Sequence, residues 1–301
     1  MDALTPCFTP DPDITGLGVR INLYASSLIF AVLPETPLTL PLIDVCRANA
    51  SMSGFALLVT AIVRTAQHKL TLYHAIFVLH MLFFLGIGLF PIGQYKPTSM
   101  RKLWTQLVAL CIAFMFQGWA VYIWAHAPEF GAEALVDSAD VVRCNASIRY
   151  IFVFVPVSAT ALWLRILWMI VLSLEVLGLL VHLLLLLSIF VARRTAQIEA
   201  HPIQHHASRF RPSQIPLILS YIYAIIMLEL YIVRNEKFQA SPDNPPETWS
   251  FGQILNLAMI ANSSNEVVHF LLAYTPSLSS RSGCEGEGAA ELNGLASGHS
   301  S

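Results

Sequence analysis

The 301-residue chain carries 17 Lys and Arg against 19 Asp and Glu, a net charge of −2, and 55% of its residues are hydrophobic. Only 12% are charged, against about 25% in an ordinary soluble domain, so a soluble fold is excluded and no basic surface for nucleic acid is present. With a mean hydropathy of +0.62, the charges fall in clusters between long apolar runs, the pattern of a polytopic helical membrane protein.

Residues 1–16 form an extracellular N-terminal segment in this reading. It has neither a basic n-region nor an apolar h-region, so no cleavable signal peptide is expected. A helix needs about 20 apolar residues to cross a hydrocarbon core roughly 30 Å thick. Seven stretches qualify: roughly 17–34, 48–66, 70–92, 103–126, 165–192, 214–233 and 249–274. In the second, Arg64 falls near the end and must snorkel. Residues 150–160, "YIFVFVPVSAT", are apolar but too short to span, and read as an interfacial or re-entrant piece. The tail 277–301 is rich in Gly, Ser and Glu and is expected to be disordered and cytoplasmic.

Direction follows from charge. Loop 93–102 holds Lys96, Arg101 and Lys102 and no acid; loop 193–213 holds Arg193, Arg194, Arg209 and Arg211 against Glu199. Segments 127–149 and 235–248 are acid-rich instead. The positive-inside rule places the two basic loops in the cytoplasm. The fold class predicted is therefore all-α, a bundle of seven transmembrane helices with the N-terminus outside and the C-terminus cytoplasmic. It sits in the plasma membrane or a secretory-pathway membrane. Two features agree with this direction. Asn145-Ala146-Ser147 is a glycosylation sequon in the longest outer loop. Cys7 and Cys144 both fall outside, where they can pair as a disulfide. Cys46, Cys111 and Cys284 are expected as free thiols.

Two stretches, "PDPDITGLGVRINLYASSL" at 10–28 and "AQHKLTLYHAIFVLHMLFF" at 66–84, resemble segments of a set of uncharacterised fungal multi-span membrane proteins. The shared features are an Asp-rich turn leading into Gly-x-Gly-Val-Arg, here Asp13, Gly16, Gly18, Val19 and Arg20. An entry to the last helix, here Trp249, Phe251, Gly252, Gln253, Ile254 and Leu255, is similar too. The resemblance implies the seven-span layout and no activity. The chain departs from it at "NSSNE", 262–266, where those proteins are more apolar.

Three acids lie inside spans: Glu175, Glu229 and Glu266. A charge at the bilayer centre costs about 2.5–3.5 kcal/mol, so each should face the bundle interior and find a partner. Their depths from the outer side are roughly 15, 7 and 25 Å respectively. Such a stagger suits a relay for protons or cations; three separately satisfied carboxyls are the plainer reading. Glu175 and His182 share one helix face. Asn262, Asn265, Glu266 and His269 fall within about 100° of arc on an unbroken helix. Alternatively, Ser263-x-x-Glu266 is a capping box that starts a second half-helix. Arg20 and Arg165 belong at the outer rim, with Asp13 the nearest acid to Arg20.

No Gly-x-Ser-x-Gly elbow, P-loop or His-Glu-x-x-His motif occurs, and no metal or cofactor is expected. His201 and His205 are interrupted by Pro202, and Glu266-x-x-His269 lacks a second half-site. The Asp/Glu-Arg-Tyr and Asn-Pro-x-x-Tyr signatures of the familiar receptor class are missing as well. Three functions follow as expectations. The first is a solute or ion passage lined by Glu175, Glu229, Asn262, Glu266 and His269. The second is a receptor-like sensor or scaffold with a cytosolic partner of unspecified kind, and the third an intramembrane metal hydrolase. The lipid bilayer is a partner in all three.

Overall fold

The computed structural model describes residues 7–8, 11–33, 36, 39–85, 100–131, 138–195, 214–238 and Val268. The protein is a helical membrane protein, and five of its described helices are long and apolar enough to cross a bilayer. The seventh expected span, with Asn262, Asn265, Glu266 and His269, lies outside the described residues, as does the tail.

Helix α1 (Pro12–Thr15) is a single turn. Asp11 caps it by accepting the Asp13 N–H at 3.0 Å, and Pro12 occupies the first turn, where a missing N–H costs nothing. Helix α2 (Leu17–Val32) follows at once. Helix α3 (Leu40–Ala66) begins eight residues before the expected second span. It ends with the Lys69 N–H on the Arg64 carbonyl at 2.9 Å and the His68 N–H on the Thr65 carbonyl at 3.0 Å. This closure needs a left-handed residue, and His68 supplies it with φ 56°. Helix α4 (Leu72–Leu85) starts at Thr71, whose hydroxyl meets His74 Nδ1 at 2.7 Å.

Helix α5 (Met100–His126) leads into α6 (Ser138–Ser147) and a hairpin, β1 (Arg149–Phe152) and β2 (Val155–Ser158). Helices α7 (Leu162–Thr195) and α8 (Gln214–Asn235) complete the described body, and a single 3-10 turn covers Glu236–Phe238.

Helix α4 lies at the centre. Leu72, Tyr73, Ala75, Ile76, Phe77, Val78, Met81 and Leu82 are all buried, so it has no lipid-facing stripe. A helix apolar all round belongs inside a bundle, and α2, α3, α5 and α8 all contact it. Small residues bring α2 and α3 close: Ser26, Ser27 and Ser53 are buried, and Asn22 donates to Ser53 Oγ at 2.8 Å. Helix α7 packs chiefly on α5, and many of its large apolar side chains, among them Leu162, Ile170, Leu174 and Leu184, are exposed.

The apolar stretch at 150–160 is neither helix nor loop. Arg149 faces Ser158 and Phe152 faces Val155 in an antiparallel pair. The two linking residues, Val153 and Phe154, have φ 45° and 68°, as a two-residue hairpin turn requires. Arg149 is bonded to Asn235, while the Phe154 ring meets Tyr223 edge-on at 5.7 Å. Those two α8 residues are about 18 Å apart along the helix, so the hairpin descends beside α8. The stretch that the sequence left as interfacial or re-entrant is thus a hairpin, whose two strands satisfy each other's backbone groups.

Beyond α5 the chain turns back at Gly131, whose φ of 79° suits only glycine. A Cβ there would lie 2.8 Å from the Leu70 carbonyl oxygen. Gly131→Ala is therefore expected to destabilise the fold by about 1–3 kcal/mol, read as a lower unfolding midpoint in detergent. An unchanged midpoint would show that the turn relaxes freely.

Candidate functional site

The end of the bundle that carries Cys7 is densely cross-tied. Cys7 and Cys144 form a disulfide, with Cα atoms 5.4 Å apart, across 137 residues of sequence. The Cys7 N–H donates to the Phe238 carbonyl at 3.0 Å, linking the N-terminal segment to the end of α8. Phe8 stacks on Tyr73 at 4.2 Å, and Tyr73 stacks on Tyr231 at 5.2 Å. Tyr231 also donates its hydroxyl proton to the Tyr73 carbonyl at 3.0 Å. Asn235 is fully buried. It accepts the Arg149 N–H and donates to the Arg149 and Tyr231 carbonyls, all at 2.8 Å. In effect it pairs with the hairpin as another strand would.

The same end holds an ion pair that the sequence did not suggest. Arg64 meets the Asp11 carboxylate, so it is neutralised by the N-terminal segment rather than left to snorkel. The Asp11 N–H donates to His74 Nε2 at 3.2 Å. With Nε2 accepting, the His74 proton sits on Nδ1 and is donated to Thr71 Oγ1. Asp11, Arg64, Thr71 and His74 thus form one connected group. Beside it, Trp119 donates to Thr65 Oγ1 at 3.0 Å and ties α5 to α3.

Arg20 lies at this end on α2, and its partner is Glu229 rather than the expected Asp13. The Arg20 Nη1 group is 2.7 Å from both Glu229 oxygens, and the Tyr24 hydroxyl donates to the same carboxylate at 2.8 Å. Arg20 and Tyr24 stand one turn apart on α2 and therefore meet the same point on α8. Arg165, at the start of α7, donates from Nε to the Trp124 carbonyl at 2.9 Å and from Nη2 to the Ala125 carbonyl. It caps the last turn of α5, where unpaired carbonyls favour a cation.

Glu175 lies deeper and elsewhere. It accepts a hydrogen bond from Gln117 Nε2 across the α5–α7 contact. Glu229 belongs to the α2–α8 contact instead. His182 is on α7, half-buried, seven residues beyond Glu175. The sequence offered no signal for Gln117, Tyr24 or Asn235, because each is an ordinary polar residue inside an apolar helix until its neighbour is known.

Asn145, the sequon residue, lies after α5 among backbone carbonyls. Its side chain is 4% exposed, and Nδ2 donates to the Pro128 and Phe130 carbonyls at 3.1 and 2.9 Å. The nitrogen that a glycan would need is engaged in these two hydrogen bonds. We expect no change in gel mobility on treatment with a peptide-N-glycosidase. Asn145→Ala should cost about 1–3 kcal/mol, since it leaves two carbonyls without their donor; a glycosidase-sensitive shift would reverse this.

Between α4, α5, α7 and the hairpin, an aromatic group fills the interior. His80, Trp124 and Trp168 surround Tyr150 at ring separations of 4.9, 5.7 and 6.1 Å. Among the described residues, no group of three or more His, Cys, Asp or Glu is placed to hold a metal ion. No protein-family model, curated protein or solved structure matches this chain.

Proposed function

We propose that the chain is a receptor-like sensor or scaffold of the plasma membrane or secretory pathway. Its disulfide end faces outside and its tail faces the cytosol. The observation that carries this reading is the closure of the disulfide end. The N-terminal segment, α3, α4, the hairpin and α8 are bonded to one another there over an aromatic-filled interior. Such a lid is built to hold a shape, and a disulfide belongs to an oxidising compartment. Seven spans and membership of the fungal family named above are part of the same proposal.

The passage reading draws its support from the Gln117–Glu175 contact, a carboxyl held within an apolar helix pair. The two readings separate in reconstituted vesicles. Full-length protein should move protons, Na⁺ and K⁺ no faster than empty vesicles do. A chain ending at Pro276 should lose a cytosolic partner that the full chain retains in pull-downs, with unchanged membrane insertion. A flux that Glu175→Gln abolishes without unfolding the protein would overturn the sensor reading in favour of passage.

A further inference from the structure

We propose that the groove beneath residues 7–8 and 11–16 is a ligand site for a molecule carrying an aromatic ring and a carboxylate, and that these N-terminal residues, the strap, occupy it in cis. The inference deepens the sensor reading and takes its purpose from it. The groove belongs to the helical body: Arg64 from α3, Thr71 just before α4, Tyr73 and His74 from α4, and Phe238 after α8. The strap fills it with three kinds of group. The Phe8 ring, 6% exposed, lies nearly parallel to Tyr73 at 14° and meets the His74 ring edge-on at 6.0 Å. The Asp11 carboxylate pairs with Arg64. Two backbone N–H groups complete the set, Asp11 to His74 Nε2 and Cys7 to the Phe238 carbonyl.

The complementary chemistry can be read from the body alone. It offers a flat apolar slot, a guanidinium with a carboxylate-sized place beside it, and an imidazole acceptor held in one tautomer by Thr71. The strap is a poor structural element by itself. Its single helical turn is too short to persist in water, and it stays in place through the Cys144 bond at one end and α2 at the other. Two tethers raise its effective concentration over the groove. An external ligand therefore competes only after the strap is loosened, by reduction or by cleavage on the outer side.

The test uses the full chain in lipid nanodiscs with a protease sequence inserted between Gly16 and Leu17. The probe is a fluorescein-labelled synthetic peptide of residues 7–15 with serine in place of Cys7. Uncut protein, or cut protein with its disulfide intact, should not bind the peptide. Cut and reduced protein should bind it saturably, 3-phenylpropionate should displace it, and Arg64→Gln should weaken binding at least tenfold. A second protein without the insertion, Phe8→Ala with Asp11→Asn, weakens the strap in place and should bind the peptide where wild type does not. The proposal is overturned by equal binding in Arg64→Gln, by a strap that never exchanges, or by cut protein that unfolds and is not rescued by the peptide. Absence of binding to the Phe8→Ala, Asp11→Asn protein overturns it too. Flux and tail deletion test the sensor reading separately, so the two failures are distinguishable.

Discussion

Glu229→Ala is expected to lower the unfolding midpoint clearly, because three contacts converge on this one carboxylate. The change leaves Arg20 and the Tyr24 hydroxyl facing an empty carboxylate position inside the bundle. Removing one partner of a buried pair typically costs about 3–5 kcal/mol, because the remaining charge has lost its counterion. Here Arg20 is 18% exposed but the Glu229 side chain keeps 41% of its surface, so the pair lies between the buried and exposed cases and a loss of about 1–2 kcal/mol is expected. An internal comparison sharpens the claim. Arg47 and Asp44 form a looser pair at 3.9 Å with both side chains well exposed, and exposed pairs contribute about 0–1 kcal/mol. Asp44→Ala should therefore leave the unfolding midpoint nearly unchanged where Glu229→Ala lowers it clearly. Swapping the charges, Arg20→Glu with Glu229→Arg, should recover part of the loss. Equal, small effects for Asp44 and Glu229 would mean that Arg20 finds a substitute acceptor.

Reduction of the Cys7–Cys144 bond comes second. The bond closes a loop of 137 residues, and loss of a native disulfide generally costs about 2–5 kcal/mol, more for longer loops. It also releases the segment that brings Phe8 onto Tyr73 and Asp11 onto Arg64. Cys144→Ser should lower thermal stability by an amount in that range and abolish the further loss that reductant causes in wild type. Mass spectrometry gives an independent check. Alkylation of denatured, unreduced protein should spare Cys7 and Cys144 and modify Cys111, which is exposed and outside any disulfide. Modification of Cys7 without reductant would show that the bond does not form.

Five of the seven expected spans fall on described helices long and apolar enough to cross a bilayer, and the third falls on the shorter α4; the reason is local. Whether a stretch can cross a bilayer depends on its own length and hydropathy, which are written residue by residue. The missed start of α3 and the hairpin at 149–158 show the limit of that logic. Leu40–Cys46 is short and interrupted by Pro41 and Asp44, yet it continues the helix because Pro41 falls in the first turn. The hairpin keeps its backbone bonds within itself, something hydropathy does not record.

By itself, the sequence determined that the chain is a helical membrane protein, roughly where its long apolar helices run, and that Cys7 and Cys144 could pair. Those conclusions need only chain length, apolar content and cysteine count. The tertiary structure alone decided which polar groups meet. Arg20 reaches Glu229 across 209 positions, Asn235 reaches Arg149 across 86, and Gln117 reaches Glu175 across 58. It also decided that the Asn145 amide reaches the Pro128 and Phe130 carbonyls. The physical reason is rotation. A helix of fixed length and hydropathy can turn about its axis and present any face, and only packing against its neighbours chooses one.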